Sequence, residues 1–125
     1  MQTLKTFLFI AITVSLTSFV QAQQFNSKRD GLFAESKTFK VNGNCGMCTH
    51  RIETAIKNQP GVWSVDWSVE SKSVLVKYDR TITSVNKLQQ LVADAGHDTE
   101  KFIANVEVYN RLPECCHYQR MIYSN

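Results

Sequence analysis

The chain has little that would carry it into a membrane or onto a nucleic acid. Its N-terminal apolar run, Phe7 to Val14, is broken at Thr13 and gives way to Ser15, Thr17, Ser18 and Gln21, too short for a comfortable membrane span. Neither sign of charge dominates: 14 Lys and Arg stand against 11 Asp and Glu, a net charge of +3. No basic cluster interleaved with aromatics occurs, which argues against a nucleic-acid partner. There are only two prolines, Pro60 and Pro113, and each reads as a terminator of the element before it. Cysteine is absent before Cys45, so no lipid-anchoring thiol is expected near the N-terminus.

Lys5 ahead of the apolar run and the small-residue close of Val20-Gln21-Ala22 make residues 1–22 read as a signal peptide cleaved after Ala22. Cleavage would leave a secreted chain of 103 residues, one small domain, with a net charge of +2 once Lys5 is gone. Residues 23–35 are mostly polar and read as a flexible N-terminal arm.

The four cysteines come in two close pairs, Cys45/Cys48 and Cys115/Cys116. An exported chain with four cysteines would ordinarily form two disulfides, with three connectivities open. Bridges within such short loops constrain little, and one between neighbours is strained. Cys45-Gly46-Met47-Cys48 lies after a short alternating run and before a helical pattern. The sulfurs therefore sit at a helix N-terminus, where free backbone N–H groups and the helix dipole favour thiolate. Two thiolates suit a soft ion of low coordination, Cu(I) or Hg(II). Zn(II) wants four ligands, more than this loop offers.

Periodicity predicts a strand over 36–41, a helix over 47–58 ended by Pro60-Gly61, and a strand over 62–69. Trp63, Val65, Trp67 and Val69 share one face of that strand. A turn over 70–72 leads to a strand over 73–78. A helix over 82–95 follows, capped by Thr83 or Ser84 and closed by Gly96. Residues 101–109 alternate once more, with Phe102, Ala104, Val106 and Val108 together, and read as a fourth strand. The order βαββαβ implies an α+β, ferredoxin-like fold: a four-stranded antiparallel sheet with two helices on one face, over 36–109. Residues 110–125 are a C-terminal tail carrying Cys115-Cys116-His117, laid across the open sheet face or along an edge.

From about Thr38 to Val108 the sequence resembles the heavy-metal-associated domains of copper chaperones, metal-ATPase N-terminal modules and periplasmic mercury-binding proteins. The resemblance rests on Cys45-Gly46-Met47-Cys48 after the first strand, Ile52-Glu53, Gln59-Pro60-Gly61-Val62 and Ala95-Gly96-His97. It implies metal binding by Cys45 and Cys48, a metal-donating or metal-accepting protein such as a membrane transporter as partner, and a periplasmic location. It implies a monomer, or a dimer bridged by a metal ion through four cysteines. Two departures stand out. Gly43 occupies a position where the family usually has a core methionine, implying a more mobile loop. His97 replaces an aromatic that often faces the metal, making it a candidate third ligand.

Three readings of the cysteine loop follow. The first is a carrier that passes a soft ion by ligand exchange, which is no enzyme. The second is a thiol-disulfide oxidoreductase, whose thioredoxin-like form would need a proline facing the sulfurs, and neither Pro60 nor Pro113 is so placed in the sequence order. The third is a passive scavenger. Cys115, Cys116 and His117 read as a second soft-metal site, or a landing point for ions bound for the loop, or else as thiols that oxidise. His50 falls about 200° from Cys48 around the helix and reads as a surface histidine. Met47 points outward, and the two tryptophans read as sheet packing.

Overall fold

The computed structural model describes residues 31–120; the expected signal peptide, residues 23–30 of the arm and residues 121–125 lie outside them. The chain divides into two units, residues 1–32 and 33–125. In the first, only residues 31 and 32 are described, in a turn.

The second unit is α+β. Strand β1 (Ala34–Lys40) leads through the cysteine loop to helix α1 (Gly46–Lys57), then to strands β2 (Val62–Ser68) and β3 (Ser73–Asp79) and helix α2 (Val85–Asp94). A short helix α3 (Val106–Asn110) and a single 3₁₀ turn (Glu114–Cys116) complete it. The sheet order is β1-β3-β2, antiparallel throughout, with β3 central. Strand β1 begins earlier than its alternation indicates, because Ala34 and Glu35 pair with Asp79 and Tyr78.

The helices form where apolar periodicity and capping agree. Cys48, Ile52 and Ile56 recur on one face of α1 and are fully buried. Ser84 caps α2 by accepting the Lys87 N–H, and Leu88 and Val92 face the core. Gly96 ends it at φ +105°, a backbone region that costs a residue without a side chain least. Phe39, Val74, Val76 and Tyr78 supply the sheet's half of the core.

Two expectations are corrected. The register of β2 shifts between Val62 and Ser64, so Val62 turns toward the core, and Trp63 stands partly exposed. Residues 101–109 do not form a fourth strand. Asn42 N–H donates to the Asp98 carbonyl and Glu100 N–H to the Lys40 carbonyl, so a strand begins beside β1 but stops after the Val41–Thr99 bridge. Side chains then take the donors a strand would offer. Thr99 Oγ1 accepts the Phe102 N–H at 3.0 Å, and the Asp98 carboxylate accepts the Ala104 N–H at 2.8 Å. Asn105 starts α3 by accepting the Glu107 N–H at 2.7 Å. Val106, expected on the inner face, is exposed.

Among the described residues no helix is long and apolar enough to cross a membrane.

Candidate metal centre

Cys45 is the N-cap residue of α1, in extended backbone, and its side chain makes no capping bond. Its carbonyl accepts the Thr49 N–H, and its sulfur is left to face its neighbours. Cys48, one turn into the helix, is fully buried and accepts the Asn44 amide N–H at 3.3 Å. The two sulfurs lie 3.6 Å apart, unbridged.

The tail brings the other pair to the same place. Cys115 Sγ lies 3.2 Å from Cys45 Sγ, Cys116 Sγ 3.8 Å from Cys45 Sγ, and the tail sulfurs are 4.0 Å from one another. The sulfurs of Cys45, Cys115 and Cys116 all fall within 4.8 Å. The tail pair therefore lies against the loop pair, where the sequence left open a second site or a landing point beside the loop. Met47 is half exposed, with its thioether 3.5 Å from Cys115 Sγ. The ring of His117 is turned away against Tyr109, at 5.1 Å between centroids, while its carbonyl accepts from Asn44 Nδ2.

His97 is placed in the core, fully buried, outside the three-sulfur group. Its Nδ1 lies 2.8 Å from the Asn42 carbonyl, an acceptor only, so Nδ1 carries the proton and donates. Burial pushes its pKa down, so the ring is neutral, and Nε2 is left without a partner. The ring stacks on Tyr118 at 5.7 Å. His97 thus ties the loop after α2 to the backbone ahead of the cysteines.

Gly43 is close-packed. A Cβ there would meet Cys48 Cβ and two carbons of the Trp67 ring at 3.0 Å. The indole fills the space beneath the loop, where the resemblance leads one to look for methionine. Lys72 Nζ donates to the Gly43 carbonyl and lies 5.9 Å over the same Trp67 ring.

The thiols are unequal. The Cys45 pKa is lowered to about 6, first by the Cys115 S–H and then by the backbone N–H of Cys48 at the helix start. Cys115 is raised, chiefly through its bond with Cys45, and Cys116 is raised chiefly by burial. Cys45 therefore ionises ahead of Cys115 and Cys116 and holds its charge down to mildly acid pH. In reduced, metal-free protein, iodoacetamide is expected to label Cys45 with a rate midpoint near pH 6, well ahead of Cys115 and Cys116. Peptide mapping after timed labelling checks this, and simultaneous labelling of all four with a midpoint above pH 8 would contradict it.

No signal in the sequence pointed to Tyr118 and Arg120, yet they fix the tail. Tyr118 Oη accepts the Asp98 N–H at 2.7 Å and donates to the Gly96 carbonyl at 2.9 Å. Arg120 donates to both oxygens of the Asp98 carboxylate, at 3.0 and 2.7 Å. Tyr109 Oη donates to the Tyr118 carbonyl at 2.6 Å.

A small ferredoxin-like domain with paired cysteines opening its first helix defines a class of metal-binding modules, and the comparisons identify which. Residues 38–98 match the heavy-metal-associated domain model. The chain is 34% identical over 55 residues to the copper chaperone CopZ of Staphylococcus aureus, covering 44% of this chain and 81% of that one. It belongs to the heavy-metal-associated domain family. Among solved structures, a CopZ metallochaperone matches at 32% identity and a TM-score of 0.51, over 52% of this chain and 98% of its own. Oxidized MerP from Ralstonia metallidurans CH34 matches at 34% identity and 0.51, over 54% and 94%. The family match ends at Asp98, so the tail cysteines lie beyond it.

Proposed function

We propose that this protein is an exported carrier of a soft heavy-metal ion, Cu(I) or Hg(II), held by Cys45 and Cys48 and passed to the thiols of a partner. The observation that carries the reading is the placing of Cys45, the N-cap residue of α1 whose side chain makes no capping bond, with the Cys48 sulfur 3.6 Å away. Family membership and the copper chaperone among its relatives support it.

Transfer is ligand exchange. A partner thiolate attacks the bound ion, a three-sulfur intermediate forms, and the ion leaves toward the higher affinity. No bond of a substrate is made or broken, so the protein is not an enzyme. The acceptor is a protein with thiols of its own, such as a membrane metal transporter. The domain plan belongs to the same proposal: signal peptide over 1–22, an arm that ends before β1 begins at Ala34, the metal-binding domain from there to 109 and tail over 110–125, with release to the periplasm. His97 acts by position, holding the Asn42 carbonyl behind the loop, and not as a third ligand.

Anaerobic competition titration of the reduced protein with Cu(I), Hg(II) and Zn(II) tests the reading. Cu(I) or Hg(II) is expected to bind one per chain, and Cys45→Ser/Cys48→Ser to weaken that binding by roughly 10³-fold or more. If no soft ion outcompetes a weak chelator while the cysteines cycle readily with a dithiol, the loop is a redox pair and the carrier reading fails.

A further inference from the structure

The cargo site above uses two of the four cysteines, yet the tail delivers the sulfurs of Cys115 and Cys116 to 3.2 and 3.8 Å from that of Cys45. We propose that Cys45, Cys48, Cys115 and Cys116 form one sulfur-rich centre that holds its ion with three or four thiolates, so that the tail itself occupies the positions an incoming thiol would take. This rests on the carrier reading and deepens it.

Distance is the first support. A tetrahedral ion with metal–sulfur bonds of about 2.3 Å has sulfurs about 3.8 Å apart along each edge. The observed separations from Cys45 are 3.2, 3.6 and 3.8 Å, and the tail sulfurs stand 4.0 Å apart. The sulfurs of Cys45, Cys115 and Cys116 all lie within 4.8 Å of one another, close to what three thiolates on one ion need; Cys48 stands 3.6 Å from Cys45 but outside that group, so a fourth bond needs a larger shift of its side chain. Adjacent residues rarely aim two side chains at one point. Here a 3₁₀ turn over Glu114–Cys116, opened by Pro113, does so, and Cys116 is packed fully into the core.

The second support is that the tail is built into place. Tyr118 bridges Asp98 and Gly96, Arg120 pairs with the Asp98 carboxylate, and Asn44 on the metal loop donates to the His117 carbonyl at 3.1 Å. These bonds flank the cysteine pair on its C-terminal side and join it both to the turn after α2 and to the metal loop. A chance approach of a mobile tail would leave no such set of partners, the two Tyr118 hydroxyl bonds among them buried.

The chemistry follows from the ligand count. Two thiolates suit linear ions alone, whereas three or four accept Zn(II) and Cd(II) as well and hold Cu(I) against competing thiols. Each ligand that is still a thiol gives up its proton on ligation, so binding releases protons. With the tail in place, an acceptor must displace Cys115 and Cys116 before it can reach the ion, and transfer is slower.

Cd(II) titration of the reduced chain under anaerobic conditions is the test, because sulfur-to-cadmium charge-transfer absorbance counts thiolates. Three or four per ion are expected in the wild type and two in Cys115→Ser/Cys116→Ser. Cys115 is exposed, so Cys115→Ser keeps the fold and is expected to lose one. The double variant is also expected to lose roughly 10²-fold or more in Zn(II) affinity, and to release Cu(I) faster to a small dithiol. Two thiolates in the wild type, or equal counts in the wild type and both tail variants, would overturn the proposal. Loss of Cu(I) binding in the loop variant with indifferent tail variants defeats this inference alone. Unchanged binding in the loop variant defeats the carrier reading as well.

Discussion

Trp67→Ala is expected to cost the fold about 3–5 kcal/mol, the range for truncating a large buried aromatic. Trp67 is buried to 3% exposure, packs against Gly43 and shares the core cluster with Cys48. Its Nε1–H donates to the Val41 carbonyl, and its backbone N–H donates to the Glu53 carboxylate at 3.0 Å. Truncation thus opens a cavity directly under the metal loop and leaves the Val41 carbonyl without its indole donor. The consequence is an interchange between positions 43 and 67. In the wild type, Gly43→Met must overpack, since even a Cβ lands 3.0 Å from the indole and from Cys48, and a loss of about 1–3 kcal/mol is expected. In the Trp67→Ala background the same methionine enters the vacated space, and the sign reverses to a gain. Urea unfolding of the four proteins in this double-mutant cycle measures it. Equal losses from Gly43→Met in both backgrounds would show that the indole does not fill the methionine space.

That interchange was half legible in the sequence. The missing methionine could be read at Gly43, but the reading attached to it was a more mobile loop. The structure instead has a close-packed glycine, because its compensation sits 24 positions later, on a strand. Nearby periodicity gave α1, α2 and the β2–β3 hairpin correctly, since each buries one face against the others and has its own stop signals. It failed at Val62–Ser64, where a bulge resets the alternation, and at 101–109, where the alternation is real but its backbone is claimed by Asp98, Thr99 and Asn105. Polar side chains that bond locally to backbone outcompete a strand, and apolar spacing does not register them. The cysteine loop was legible because its chemistry is local. The meeting of the two cysteine pairs was not, because it depends on Tyr118 and Arg120 finding Asp98 and Gly96 across the fold.

Asp98 is the residue on which that tertiary arrangement turns, and Asp98→Ala is expected to destabilise the protein by about 3 kcal/mol, the low end for breaking a largely buried ion pair. The carboxylate is buried, accepts the Ala104 N–H and carries the fork of Arg120. Alanine strands that N–H and leaves a guanidinium whose side chain is 17% exposed, open enough to recover some water and hold the loss near that lower limit. Arg120→Met is expected to cost a comparable amount, because it leaves the Asp98 carboxylate, at 6% exposure the more buried partner, without its counter-charge, even though Asp98 keeps the Ala104 N–H and the Tyr118 hydroxyl still bridges Asp98 N–H and the Gly96 carbonyl. The double variant Asp98→Ala/Arg120→Met should therefore be more stable than Asp98→Ala alone, since no unpaired charge remains in the cleft. Thermal unfolding of the reduced protein ranks the three. If Asp98→Ala and the double variant prove equally unstable, the damage comes from the orphaned Ala104 N–H, and the ion pair holds the tail without stabilising the domain. The same variants separate tail from core, because α1 and its cysteine loop make no bond to the Asp98 carboxylate. Hydrogen exchange in Asp98→Ala is thus expected to rise first over 114–120, where the tail depends on Tyr118 and Arg120, and to leave the Ile52–Ile56 stretch of α1 protected.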